Sequence, residues 1–235
     1  MPVLLLGSSS ILSAEIFQAL HTSGQPLAAA GVWQRQHETL GRIIDIASHD
    51  LELLAQQAGL PVIAMQDVAD AQQQIEQLGI DTIVLACYPH RLPQALIDSA
   101  PVCINIHPSL LPRYRGPEPV FWQFRDAASF GVSIHRVNAR FDAGELIAQA
   151  AVELPTGCDY ATATTLLARQ GASLLLKQLE QAGEGGWSLT PQIEAEASYQ
   201  PYPDAADFVI DTGQPAEAVF NFMCGTAVFG NPYRC

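Results

Sequence analysis

Asn105 and His107 stand two apart in the run Ile104-Asn105-Ile106-His107, and Asp142 stands further on in Arg140-Phe141-Asp142-Ala143-Gly144. An amide, an imidazole and a carboxylate are equipment for acyl transfer through a tetrahedral intermediate. Asn105 and a protonated His107 would be two donors for one developing oxyanion, and a carboxylate beside the imidazole would fix its tautomer and favour its charged form. Each residue also has an ordinary reading. Taken alone, a buried histidine with an asparagine neighbour is more often a satisfied structural pair than a catalytic one, and Asp-x-Gly is commonly a turn. What sets this pair apart is its place. Strand alternation puts both polar side chains on one face of an otherwise apolar strand, at the carboxyl end where open parallel sheets bind ligands. The stiff Pro- and Gly-rich loop that follows, residues 108–116, suits a cavity wall.

Other chemistries find less to work with. No GxSxG elbow marks a serine nucleophile, and the six histidines include no HExxH or comparable zinc pair, so no metal is expected. Gly7-Ser8-Ser9-Ser10 is neither GxGxxG nor a Walker loop; it reads as a tight strand–helix turn, and a nucleotide-dependent oxidoreductase is disfavoured. Five scattered cysteines without a CxxC pair read as small buried hydrophobes in a reducing cytoplasm. The first residues lack the basic start of a signal peptide, and no apolar run is long enough to span a membrane. Net charge is −13, which repels phosphate backbones and acidic membranes and makes nucleic acid a poor default partner. Yet Arg113, Arg115, Arg125, Arg136 and Arg140 outnumber the acids of their own stretch, giving an acidic chain one basic segment. That segment either holds a small anion or pairs with the chain's many carboxylates.

The elements that must position these residues follow from hydrophobic pattern. With 235 residues, 49% hydrophobic and 15% charged, the chain can bury the core of one large α/β domain, or of one domain with an appendage. Continuous apolar runs at 3–6, 27–33, 61–64, 82–87 and 102–106 alternate with helical spacing around 11–20, 50–58, 68–78 and 93–98. This predicts an α/β, Rossmann-like, mostly parallel sheet with helices on both faces. Runs at 131–137 and 146–152 have no helix between them and predict an added antiparallel element. A long helix is expected over 160–181. Gly, Pro and acidic residues accumulate after 183, so residues 1–182 read as the catalytic domain and 183–235 as a linker and the remnant of a C-terminal domain.

At the catalytic candidates the sequence becomes recognisable. Asn105-Ile106-His107-Pro108-Ser109-Leu110-Leu111-Pro112, followed by Asp142-Ala143-Gly144, resembles the signature of the 10-formyltetrahydrofolate-dependent formyltransferases. Similarity runs to about residue 181, is most specific over 86–149 and loose before 60. The branches it most resembles act on methionyl-tRNA and sugar nucleotides. The resemblance implies that Asn105, His107 and Asp142 are the catalytic trio. It also implies folate binding by Pro89, His90, Arg91 and Leu92, by Ser109, Leu110, Leu111 and Pro112, and by Asn138, Ala139, Arg140 and Phe141, largely through backbone groups. Two departures from the methionyl-tRNA branch stand out: residues 34–50 offer only Arg35 and Arg42 where that branch has a basic insertion, and the chain ends where its C-terminal barrel would begin.

The resulting expectation is a cytoplasmic enzyme that moves a formyl group from 10-formyltetrahydrofolate to a small, anionic amine acceptor gripped by Arg113 and Arg115. Three alternatives stand beside it: methionyl-tRNA formylation, hydrolysis of the formyl folate, and a non-catalytic folate-binding module.

Overall fold

The structure, a computed structural model, describes residues 1–33 and 49–235. The expected departure at 34–50, with Arg35 and Arg42, falls almost wholly outside the described residues. Among the described residues, seven strands form one sheet in the order β3-β2-β1-β4-β5-β6-β7. Strands β1 (Val3–Gly7), β2 (Leu27–Val32), β3 (Val62–Ala64), β4 (Thr82–Ala86) and β5 (Val102–His107) run parallel, whereas β6 (Phe130–Arg136) and β7 (Leu146–Val152) return antiparallel. The expected mixed α/β sheet is therefore present. Helices α1 (Ile11–Thr22), α2 (Leu51–Gln57), α3 (Val68–Gln77) and α4 (Gln94–Ile97) connect the parallel strands. Where helix starts would leave amide donors unpaired, Ser10, Asp50 and Asp67 cap α1, α2 and α3 through their side chains.

Alternation along the strands sorts side chains into two apolar layers. Val3, Leu5, Val84, Ile104, Ile106, Val132 and Ile134 pack beneath α1, α2 and α6 (Tyr160–Gly185). Leu4, Leu6, Ile83, Leu85 and Cys103 pack on the other face beneath α3 and α4, and the buried part of that second layer ends at Cys103. Beyond it, the same face of β5 and β6 carries Asn105, His107, Ser133 and His135. Their polarity is matched by the polar groups of the loop at 108–116, which buries His107, Ser133 and His135.

The chain beyond residue 182 does more than a linker would. Helix α6 continues past that point to Gly185, and two 3-10 turns (Glu194–Glu196 and Ala205–Asp207) lead to α7 (Ala216–Thr226). Phe208 is fully buried among Phe121, Phe222 and Phe229, with its ring 5.1 Å from that of Phe121. Phe121 belongs to α5 (Pro119–Arg125), a short helix buried nearly all round, whose Trp122 Nε1 donates to the Pro201 carbonyl at 2.9 Å. Truncating a buried phenylalanine to alanine costs ~3–5 kcal/mol. Phe208→Ala should lose stability on that scale in urea unfolding, and a loss below ~1 kcal/mol would mean that the tail contributes little to the common core.

Candidate active site

The antiparallel register of β5 and β6 builds the centre. Asn105 pairs with His135 and His107 with Ser133, so four polar side chains share one face. The loop from β6 to β7 then delivers Asp142 onto them. Its Oδ1 accepts from Asn105 Nδ2 at 3.3 Å and lies 3.7 Å from His107 Nδ1 and 3.5 Å from His135 Nε2. Its Oδ2 accepts from the Gly116 amide at 2.9 Å. The expected trio is brought together, and His135 joins it. Sequence reasoning passed over His135 because only the strand register places it opposite Asn105.

Tautomers follow from carbonyl partners, which only accept. The Tyr114 carbonyl lies 2.8 Å from His107 Nε2, fixing a proton there and leaving Nδ1 toward Asp142. The Arg136 carbonyl, 2.8 Å from His135 Nδ1, fixes that proton likewise and leaves Nε2 toward Asn105 at 3.2 Å. Burial pushes His107 below its ordinary pKa, and Asp142 opposes this only in part. Burial alone would raise Asp142, but His107, His135 and the Gly116 amide hold it well below the usual carboxylate range. Asp142 is thus held as a carboxylate, while burial and that carboxylate pull His107 in opposite directions.

Asp142 sits at φ 51°, a left-handed conformation that non-glycine residues adopt only when their surroundings hold it. Gln192 does the holding. Its Nε2 donates to the Asp142 carbonyl at 2.8 Å and to the Gly144 carbonyl at 2.7 Å. At position 144 any Cβ would collide with the Arg136 carbonyl oxygen, so only glycine fits. Arg115 in turn locks Gln192, donating to its Oε1 through Nε and Nη2 at 3.2 and 2.8 Å and gripping Glu194 with both terminal nitrogens. These tail residues were hidden in a stretch whose composition reads as linker.

This geometry corrects the anion clamp expected at Arg113 and Arg115. Arg115 is only 7% exposed and its donors are spent inside the chain, while Arg113 is exposed. Arg140 also pairs with Glu194, and Arg125 with Asp207. Three of the five arginines of the basic stretch thus face acids of the tail. The expected folate segments divide. Arg91 donates to the Ala139 carbonyl at 2.5 Å, closing residues 89–92 against 138–141, with the His90 ring tilted 37° against Trp33 at 4.0 Å and Phe141 exposed beside Asp142. Residues 109–112 are instead bonded to β6 and β7: Ser133 Oγ donates to Ser109 and accepts from Leu111, and Gln149 donates to the Leu111 carbonyl. The side chains of Ser109 and Leu111 are buried there.

A Formyl transferase family model matches residues 1–179. The chain belongs to the formyl transferase family. The resemblance drawn from Asn105 to Gly144 is thereby borne out, and the site described above lies almost entirely within the matched residues. Among curated relatives, the methionyl-tRNA formyltransferase of Streptococcus equi subsp. equi is 33% identical over 189 residues, covering 79% of this chain and 61% of the relative's own length. The chain thus spans about three fifths of that relative. Among solved structures, a sugar N-formyltransferase from Shewanella sp. shares the fold at TM-score 0.70 and 18% identity, covering 95% of this chain and 87% of that one. The N-formyltransferase of Helicobacter canadensis, solved with folinic acid and dTDP-3-aminofucose, does so at TM-score 0.68 and 14% identity, covering 95% and 79%. The expectation of a small acceptor and no nucleic acid gains nothing from the curated relatives, whose names favour methionyl-tRNA.

Gln192 generates a test of this formyl transferase site that needs no substrate. Gln192→Ala removes two hydrogen bonds to the Asp142 loop, each worth ~0.5–1.5 kcal/mol. With Asp142 loosened, its upward pull on His107 weakens. The His107 titration followed by NMR should move to lower pH, and an unchanged titration would show that Gln192 does not position the carboxylate.

Proposed function

We propose that this chain transfers the formyl group of 10-formyltetrahydrofolate to a primary amine, with residues 1–182 carrying the chemistry and the segment beyond them bracing it. The observation that carries the reading is the meeting of Asn105, His107 and Asp142 around one carboxylate oxygen, at the carboxyl end of the sheet of a formyl transferase family member. The loops at 89–92 and 138–141 suit the donor's flat ring, with backbone groups beside an exposed Phe141 and the Trp33–His90 pair. A relative of the same fold is named with folinic acid, which supports a folate donor.

In the proposed mechanism the amine nitrogen attacks the formyl carbon. The developing oxyanion takes a donor of the Asn105 amide, which must turn toward it from its resting partners Asp142 Oδ1 and His135 Nε2. His107 Nδ1, free because Nε2 is committed to Tyr114, takes the proton that the amine sheds. The imidazolium so formed lies against the Asp142 carboxylate, which stabilises it in the buried setting. As the bond from the formyl carbon to N10 breaks, N10 keeps the electron pair and receives that proton. One hydrogen leaves the acceptor nitrogen and one arrives at N10, so atoms and charge balance.

For the acceptor, the names of the curated relatives favour methionyl-tRNA over the small anionic amine expected from charge alone, and the loss of Arg115 as a clamp removes the main support for an anion. No helix among the described residues is long and apolar enough to cross a membrane; we place the reaction in the cytoplasm. Formylation of initiator methionyl-tRNA by the purified chain at low and physiological salt, beside methionine methyl ester, tests the acceptor. Formyl transfer to neither, with 10-formyltetrahydrofolate intact, would sink the reading.

The rate should depend on pH in one direction. The active base is neutral His107, whose pKa lies below the ordinary ~6.5, so the rate should be on its plateau at pH 7 and fall only on the acid side. Asp142→Asn should lower the plateau by ~100-fold or more. It also removes the carboxylate that raises His107, so the acid limb should move to lower pH. A limb that instead vanished in the variant would assign it to Asp142.

A further inference from the structure

Residues 114–116 form a short ribbon between the tail and the candidate site, with Arg115 bridged in parallel to Tyr199. A trans peptide is planar and points its N–H and its carbonyl in opposite directions. In the 114–115 peptide the Arg115 N–H donates to the Ser198 carbonyl at 2.9 Å, while the Tyr114 carbonyl accepts from His107 Nε2 at 2.8 Å. In the 115–116 peptide the roles are exchanged. There the Arg115 carbonyl accepts from the Gln200 N–H at 2.8 Å, and the Gly116 N–H donates to Asp142 Oδ2 at 2.9 Å. Each peptide group thus has one end in the tail and the other in the candidate site. A Cβ at Gly116 would collide with the Gln200 carbonyl oxygen, so only glycine permits this approach.

Tyr114 makes the turn that the ribbon requires. Its φ is 59°, a left-handed conformation that a tyrosine keeps only when its surroundings hold it. The conformation turns two successive N–H groups, those of Tyr114 and Arg115, to one side. Both meet Ser198. The Tyr114 N–H donates to Ser198 Oγ at 2.9 Å and the Arg115 N–H to the Ser198 carbonyl, while the Ser198 N–H donates to the Pro112 carbonyl at 3.2 Å. The Tyr114 hydroxyl, which donates to Asp126 Oδ2 at 3.2 Å, anchors the ring and leaves the peptide to Ser198.

We infer that Ser198 is a positioning residue for formyl transfer: by taking both N–H groups it aims the Tyr114 carbonyl at His107 Nε2, and so selects Nδ1 as the nitrogen that accepts the proton. The inference rests on the formyl-transfer reading and adds a residue of the tail to it. Two acceptors compete for the single proton of a neutral His107. Asp142 Oδ1, 3.7 Å from Nδ1, draws it to that nitrogen, where it would occupy the base. The Tyr114 carbonyl draws it to Nε2 through a bond of full strength, but only while the 114–115 peptide keeps its orientation. Ser198 touches neither ring nor carboxylate, and acts through that peptide alone.

The full chain, isotope-labelled on histidine nitrogen and free of substrate, is read by proton–nitrogen correlation spectra. These report which His107 nitrogen carries the proton and how fast that proton exchanges with water. In the unaltered chain the proton should sit on Nε2. Ser198→Val should speed its exchange about threefold to tenfold and admit the Nδ1–H form, as one lost hydrogen bond predicts. Ser198→Thr has the same shape as the valine variant but keeps the hydroxyl, so it should stay within about twofold of the unaltered chain. In formylation of initiator methionyl-tRNA, kcat of Ser198→Val should fall by a similar about threefold to tenfold with KM for 10-formyltetrahydrofolate unchanged, and Ser198→Thr should restore it. A proton on Nδ1 in the unaltered chain, unchanged exchange in Ser198→Val, or equal changes in the threonine and valine variants would overturn the inference. If Ser198→Val melts early, Ser198→Ala takes its place with the same expectations and the same overturning results. Should the unaltered chain transfer no formyl group while the ring proton behaves as expected, the formyl-transfer reading fails and the placement of that proton by Ser198 stands.

Discussion

One carboxylate oxygen, Oδ1 of Asp142, is shared by Asn105, His107 and His135, and most of the architecture around it serves to keep it in place. A buried carboxylate is costly unless it is hydrogen-bonded and faced by compensating groups. Two antiparallel strands supply three partners from one face, and the Gly116 amide takes the second oxygen. The backbone at Asp142 is left-handed, so this arrangement cannot rest on local preference. It is imposed from outside the loop, by Gln192 on the carbonyls and by the close approach of Gly144 to Arg136.

The same economy explains the basic stretch. In an acidic chain a run of arginines invites an external anion, yet here the tail supplies the anions. Glu194 takes both Arg115 and Arg140, and Asp207 takes Arg125. The Arg115 pair is half buried and hydrogen-bonded on both sides, and its work is geometric: it orients Gln192. The exposed Arg140 pair adds little energy of its own.

How much of this could be read from residues alone depended on whether the signal was local. The parallel strands were legible as continuous apolar runs, and Asn105 and His107 as two polar side chains sharing a strand face. Asp142 was legible only through its resemblance to a known signature, because Asp-x-Gly by itself is a turn. His135 depended on antiparallel register, which is set by where α5 returns the chain. Helix α5 itself gave no amphipathic period, since its Pro-Val-Phe-Trp-Gln-Phe run is buried on nearly every side. Arg115 was misread for a related reason: a guanidinium looks the same in sequence whether it faces a ligand or a neighbour's carboxylate. The role of residues 190–208 was invisible because Gly, Pro and acidic residues describe a linker equally well.

Because the bonds that order Asp142 come from a stretch some fifty residues later, peeling away that stretch and disordering the Asp142 loop form one cooperative opening event. Linkage then runs both ways. Any ligand that requires Asp142 in its left-handed pose protects the amides of residues 190–200 from solvent exchange. Equally, anything that pulls on the chain after residue 200 tugs, through the Trp122–Pro201 and Arg115–Gln200 hydrogen bonds, at the floor of the candidate site. A sequence continuing beyond this point would be mechanically connected to the chemistry by a strap already woven into it.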